Sequence, residues 1–133
     1  MISSISGTIR YKDLNSVVVD VSGVGYKIFV PTDTALEVTL SQSIFLWTHL
    51  AVRETALELF GFLDKETLGI FELLITISGI GPKTALGILN VASPATLRQS
   101  VASSETSYLT RVAGIGKKNA EKIVLELKDK LKV

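Results

Sequence analysis

A lysine two places after a glycine pair occurs twice in this chain, in the same setting each time. Gly79-Ile80-Gly81-Pro82-Lys83-Thr84 is matched 35 residues later by Gly114-Ile115-Gly116-Lys117-Lys118-Asn119. Glycine tolerates positive φ and lets another backbone come close. The helix expected after each turn begins with N–H groups that have no intrahelical partner, at the positive end of its macrodipole. Lys83 with Thr84, and Lys117 with Lys118 and Asn119, add charge and hydrogen-bonding groups at the same tips. Amides, a dipole end and an ammonium together suit a phosphate. Two such tips on one chain suit the phosphate backbone of a nucleic acid. The register extends in both directions, pairing Leu74 with Leu109, Ile77 with Val112, Ala85 with Ala120, Ile88 with Ile123 and Leu89 with Val124.

Other readings of these residues fit less well. A single copy reads equally as a plain helical hairpin closed by a glycine turn, and it is the repeat in register that favours the phosphate clip. The spacing lacks the four residues between glycines and the Gly-Lys pair of a Walker A loop, and the third glycine of a dinucleotide fingerprint. Two copies cannot build a solenoid of 34-residue repeats, and its aromatic signature is absent. Catalysis finds little support. His49 is the single histidine and lies in an apolar strand, no carboxylate or histidine cluster has metal-ligand spacing, and no Gly-x-Ser-x-Gly elbow occurs. No catalytic residue, metal or cofactor is expected. There is no cysteine, hence no disulfide, thiolate zinc site or cysteine nucleophile.

The elements that must position the turns divide near residue 63. Residues 2–11, 16–22, 25–31, 44–52 and 57–63 are rich in Val, Ile, Phe, Tyr and Thr and read as strands. Gly23-Val24-Gly25 reads as the tight connection between the second and third. Five strands in this length point to a small OB-like barrel. The aromatics Tyr11, Tyr26, Phe29, Phe45, Trp47, Phe60 and Phe62 could stack bases, but barrel core is the plainer expectation. Asp64 then caps a helix whose apolar stripe Leu68, Phe71, Leu74, Ile75, Ile77 ends at Ser78. Pro82 starts the next helix and Ser93-Pro94 another to about Ala102. Ser104 is expected to cap a further helix to Val112, and Lys117 to Leu131 forms the last. The fold class is therefore α+β: a five-stranded OB-like β-barrel over 1–63, then an all-α domain over 64–133 with two helix-hairpin-helix motifs.

Charge follows the same division. The net charge of +1 conceals −3 over residues 1–70 and +4 over 71–133. The basic half is the half with the repeated turns, which fits an anionic partner there. The N-terminus lacks a basic region before an apolar run, so no signal peptide is expected. The longest uncharged stretch, 38–52, is 15 residues and too polar to span a bilayer. These features fit a cytoplasmic protein with no membrane partner.

At whole-chain level the sequence resembles the RuvA family, the Holliday-junction-recognising subunits of the bacterial branch-migration complex. The resemblance is carried by Gly23-Val24-Gly25-Tyr26, Val52-Arg53-Glu54, Leu59-Phe60-Gly61-Phe62, Gly79 to Lys83, Gly114 to Lys118 and Glu126-Leu127-Lys128-Asp129, in that order. It implies a non-catalytic, structure-specific DNA-binding scaffold for recombination and repair. It implies a tetramer, sometimes doubled to an octamer, that holds four-way junction DNA on a basic face. In that setting Gly79, Gly81, Lys83, Thr84, Gly114, Gly116, Lys117, Lys118 and Asn119 would grip phosphates without reading sequence. The turn Arg53-Glu54-Thr55 otherwise reads as a solvated hairpin tip. The resemblance makes Glu54 an acidic pin near the junction centre, with Thr55 in place of the family's usual second acid. Implied protein partners are the RuvB ATPase and the RuvC resolvase. Full-length relatives continue into a third, RuvB-binding domain, so a chain stopping after Lys128-Asp129-Lys130-Leu131-Lys132 is expected to be a truncated form, competent for junctions but not for coupling to the motor. The main rival is a DNA-repair nuclease or glycosylase that uses the same hairpins. A protein-interaction module whose glycine turns only pack helices is the weaker one.

Overall fold

The computed structural model describes residues 1–131. Strands β1 (Ser4–Lys12), β2 (Ser16–Val21), β3 (Val24–Phe29), β4 (Ser43–Arg53) and β5 (Ala56–Phe62) close into a barrel in the order β1-β2-β3-β5-β4. All pairings are antiparallel except β3 with β5, which are parallel and meet at Ile28↔Leu59 and Phe29↔Phe60. Alternation along each strand sends one face inward. Ile5, Ile9, Val17, Val19, Ile28, Ile44, Leu46 and Leu59 fill the interior. A β-bulge between Ile9 and Tyr11 bends β1 so that it can pair with β2 on one side and β4 on the other. Closure brings backbones very near at Gly7, where an added Cβ would lie 2.3 Å from the Asp20 carbonyl oxygen.

A short helix α1 (Thr32–Glu37), unforeseen in the sequence, follows β3 and contributes Ala35 to the barrel core. Lys12 Nζ donates to the carbonyls of Ala35 at 3.0 Å and Val38 at 2.7 Å, at the end where helix carbonyls lack partners. The β2–β3 connection differs from expectation. Ser22 and Gly23 alone form the turn, both at positive φ (52° and 92°), and Val24 and Gly25 already belong to β3. Two left-handed residues match the twist of a tight hairpin, and Asp20 Oδ1 accepts the Gly23 N–H at 2.8 Å. That bond and the Arg10 side chain hold the Asp20 carboxyl below its usual range.

The remaining helices are α2 (Lys65–Leu74), α3 (Pro82–Val91), α4 (Pro94–Ala102) and α5 (Lys117–Leu131). Asp64 caps α2 as expected, accepting from the Thr67 N–H at 2.8 Å, and Ser93 caps α4, accepting from Thr96 N. α2 stops at Leu74 rather than Ser78. The Thr76 hydroxyl donates to the Leu73 carbonyl at 2.6 Å while the Thr76 and Ile77 amides bond three residues back, which tightens and ends the helix. The helix expected from Ser104 to Val112 is replaced by one 3-10 turn, Leu109–Arg111. Ser104 sits at φ 57°, and side chains compete for the local backbone: Glu105 accepts the Ser107 N–H and the Thr110 hydroxyl donates to the Ser107 carbonyl. The chain forms two compact units that divide between Leu68 and Gly69, inside α2. Among the described residues no helix is long and apolar enough to cross a membrane. Lys132, the last residue of the terminal charged run, lies outside the described residues, as does Val133.

Candidate nucleic-acid interface

The two glycine turns have the same internal construction. Gly79 and Gly114 adopt φ of 88° and 89°. Ile80 N–H donates to the Ile77 carbonyl at 3.0 Å, and Ile115 N–H to the Val112 carbonyl at 3.1 Å. The first intrahelical bonds of α3 and α5, Ala85 to Gly81 and Ala120 to Gly116, are both 2.9 Å. Each turn is anchored by apolar side chains: Ile77, Ile80 and Ala85 in one, Val112, Ile115 and Ala120 in the other, all buried. Ile88 with Leu89, and Ile123 with Val124, continue the buried face down each following helix. An apolar stripe at this spacing is what docks a helix and fixes the direction of its N-terminus. The first turn is led by α2, the second only by the 3-10 turn. α3 also approaches the second turn closely, since a Cβ at Gly87 would lie 3.0 Å from Val112 Cγ1.

What this construction leaves outside is polar and basic. Gly79, Gly81, Lys83, Gly114, Gly116, Lys117, Lys118 and Asn119 are exposed and Thr84 is half-buried. Glycine is demanded by φ at Gly79 and Gly114. It is not demanded at Gly81, whose φ and ψ of −88° and 175° suit any residue. A Cβ at Gly81 or Gly116 would meet nothing within 4 Å. The chain's own packing therefore gives no reason for a bare backbone at these two positions. A ligand coming up to the amides at the start of α3 and α5 does give one.

A separate surface belongs to the barrel unit. β4 and β5 are joined by the two-residue turn Glu54-Thr55, with Arg53 opposite Ala56 as the last pair. Both turn residues are exposed. Arg53 Nη2 and Glu58 Oε1 are 2.6 Å apart on one face of this hairpin. Glu54 is thus the carboxylate at the tip itself. The aromatics of this unit divide between core and surface. Phe60 and Phe62 are fully buried, whereas Tyr11 and Phe45 are exposed, and Phe45 meets half-buried Trp47 edge-on at 5.1 Å. Lys65 lies over Trp47, with Nζ 5.4 Å from the ring centroid. The expectation of barrel core is met in part by half-buried Tyr26, which packs against that core, whereas Phe60 and Phe62 alternate with the inward Leu59 and Gly61 and are buried on the other face of β5.

Comparison with known proteins covers both units. Residues 1–61 match the family model described as RuvA N terminal domain, and residues 71–129 the model described as SAM-like Helix-hairpin-helix tandem. The chain is 42% identical over 133 residues to the Holliday junction branch migration complex subunit RuvA of Acetivibrio thermocellus, aligned over 99% of this chain and 66% of that protein. It is 45% identical over 132 residues to the protein of the same description from Dehalococcoides mccartyi, covering 98% of this chain and 68% of the relative. The corresponding protein of Symbiobacterium thermophilum is 42% identical, with 98% and 64% covered. The chain thus spans about two thirds of the length of the curated relatives it matches.

Proposed function

The chain belongs to the RuvA family, and on that premise we propose that it is a non-catalytic, structure-specific scaffold that binds four-way DNA junctions during recombination and repair. The observation that carries this reading is the duplicated turn. Two exposed helix N-termini share the same φ, the same hydrogen bonds and a lysine at the same offset. Gly79, Gly81, Lys83 and Thr84 form one phosphate clip; Gly114, Gly116, Lys117, Lys118 and Asn119 form the other. Phosphate contacts of this kind position DNA without reading its sequence. Shape selectivity then comes from assembly. Four copies around one junction present each arm with the same pair of clips, and the four Glu54 tips meet at the crossover. Like charges there repel phosphates and keep the strands apart for exchange. In a branch-migration complex the scaffold works in the cytoplasm, as a tetramer or a doubled octamer, with the RuvC resolvase as a further partner and the RuvB ATPase as the motor that the full-length protein engages.

The test compares a four-way junction with duplex DNA of equal length in a band-shift titration. Preferential binding of the junction is expected, and equal affinity for both would sink the proposal. Binding should also weaken steeply with salt. Lys83→Gln and Lys118→Gln should each lower the slope of log affinity against log salt by about one per contact removed. Unchanged slopes in both variants would remove these lysines from the interface.

A further inference from the structure

The hairpin that carries Glu54 projects beyond the barrel. β1 accompanies β4 only as far as Trp47, opposite Ser4, and β3 joins β5 only from Leu59 onward. From Ala51↔Glu58 to Arg53↔Ala56 neither strand pairs with a further strand among the described residues, although Ala51 is still buried. The inward-facing row of β4 runs Ile44, Leu46, Thr48, Leu50 and Val52, and that of β5 runs Gly61, Leu59 and Leu57. Ile44, Leu46 and Leu59 are core and Leu50 packs against it. The next pair in the same row, Val52↔Leu57, is 67% and 70% exposed. The barrel's apolar stripe thus runs out onto a protruding ribbon, immediately behind an acidic tip. The sequence places Val52 and Leu57 at the ends of their strands, and alternation alone does not show that the barrel ends before them.

We infer that Val52 and Leu57 form an apolar seat for bases left unpaired at the crossover of a bound junction. This rests on the junction-binding reading above. The charges beside the pair decide among occupants. Glu54 stands at the tip and Glu58, tied to Arg53, lies on the opposite face. Arg53 compensates Glu58, so Glu54 is the net charge left at the tip, and it repels a phosphate backbone. It does not repel an uncharged base, whose faces are apolar and lose their stacking partner when the pair opens. Aliphatic side chains are used elsewhere as wedges against unstacked base steps. The tip has a single acid, since Thr55 carries no charge. Charge repulsion pushes strands apart, and the apolar pair supplies what repulsion cannot, a favourable contact for the separated bases.

The experiment places 2-aminopurine at the crossover of a four-way junction and measures fluorescence, binding affinity and assembly mass together. The variants are Val52→Thr with Leu57→Thr, which keep strand propensity and an exposed site, and Val52→Ile with Leu57→Ile, which keep the apolar surface. With the wild-type chain fluorescence should rise on binding. The threonine variant should lose roughly threefold or more of that rise, with affinity and mass retained, and the isoleucine variant should keep it. An equal rise in the threonine and wild-type chains overturns the inference while leaving junction binding intact. A changed assembly mass in the threonine variant also overturns it, because the pair would then be covered by a second copy. Failure of the wild-type chain to prefer the junction overturns the functional reading itself.

Discussion

Replacing Gly81 and Gly116 by alanine separates a turn that only packs helices from one that admits a phosphate. Gly81 has φ −88° and ψ 175°, Gly116 is not at positive φ, and a Cβ at either meets nothing within 4 Å. Alanine is a poorer N-cap than glycine, a loss of up to about 1 kcal/mol. It also narrows the unfolded ensemble, a gain of about 0.4–1 kcal/mol. The two largely offset, so the melting temperature should move by no more than about 4 °C. Binding should respond differently. A methyl group on the approach to the first amides of α3 and α5 displaces the phosphate from a charge-assisted hydrogen bond of about 1.5–3 kcal/mol. That is roughly a tenfold to hundredfold loss of junction affinity. Gly79→Ala and Gly114→Ala are the contrast. At φ of 88° and 89° they strain the backbone by about 1–2 kcal/mol each, so stability falls with binding. Thermal unfolding and anisotropy titration with a labelled junction measure both quantities on the same samples. A Gly81→Ala/Gly116→Ala chain that melts and binds like the wild type would refute the claim that phosphate reaches these amides.

Two further outcomes follow from the geometry. Ile80→Ala or Ile115→Ala, each removing a nearly buried anchor (8% and 6% exposed), should cost about 2–4 kcal/mol in urea unfolding of the chain; a loss below about 1 kcal/mol would mean that the turns are held by something other than these side chains. Asp20 should contribute to acid sensitivity. Its carboxyl is held below the usual range by the Gly23 N–H first and the Arg10 side chain second, so its contribution is present at neutral pH and lost as pH falls through the lowered folded-state value. Asp13 acts in the same direction through Ser16. Asp20→Asn should flatten, without abolishing, the fall of melting temperature below about pH 4, and an unaltered acid limb would discount the Arg10–Asp20–Gly23 cluster.

The parts legible in the sequence are those in which one residue type answers one local demand. Gly79 and Gly114 announce positive φ, Pro82 and Pro94 announce helix starts, and Ser93 and Asp64 announce caps; all six stand where those rules put them. The strands were legible because β-branched and aromatic residues crowd them. What escaped depends on competition or on neighbours distant in sequence. The helix α1 has six residues, too few for an apolar period to show. Ser104 looks like a cap by type, but it takes a left-handed conformation with its hydroxyl receiving Lys128 Nζ at 2.5 Å, a partner 24 residues away. Exposure of Val52 and Leu57 depends on where β1 and β3 stop, and that is a property of barrel closure rather than of the hairpin's own residues.

The second turn isolates what makes a clip. Its leading element is three residues of 3-10 turn, against ten residues of α2 before the first. Yet the glycine φ values differ by only a degree and the closing hydrogen bonds by 0.1 Å. A long leading helix is therefore not what sets the tip. The common parts are the left-handed glycine, the buried isoleucine and the amphipathic helix that follows, and these suffice to aim an N-terminus outward. The tips are nevertheless unequal in what they present. Pro82 has no N–H to offer, whereas Lys117 at the equivalent place contributes both an amide and an ammonium. Proline pre-sets the helical φ and stiffens the first clip. The second clip trades that stiffness for an additional donor and an additional charge. Shape is held constant between the two while charge is varied, as expected where contacts go to a uniform phosphate backbone, whose recognition needs matched geometry and tolerates different numbers of cations.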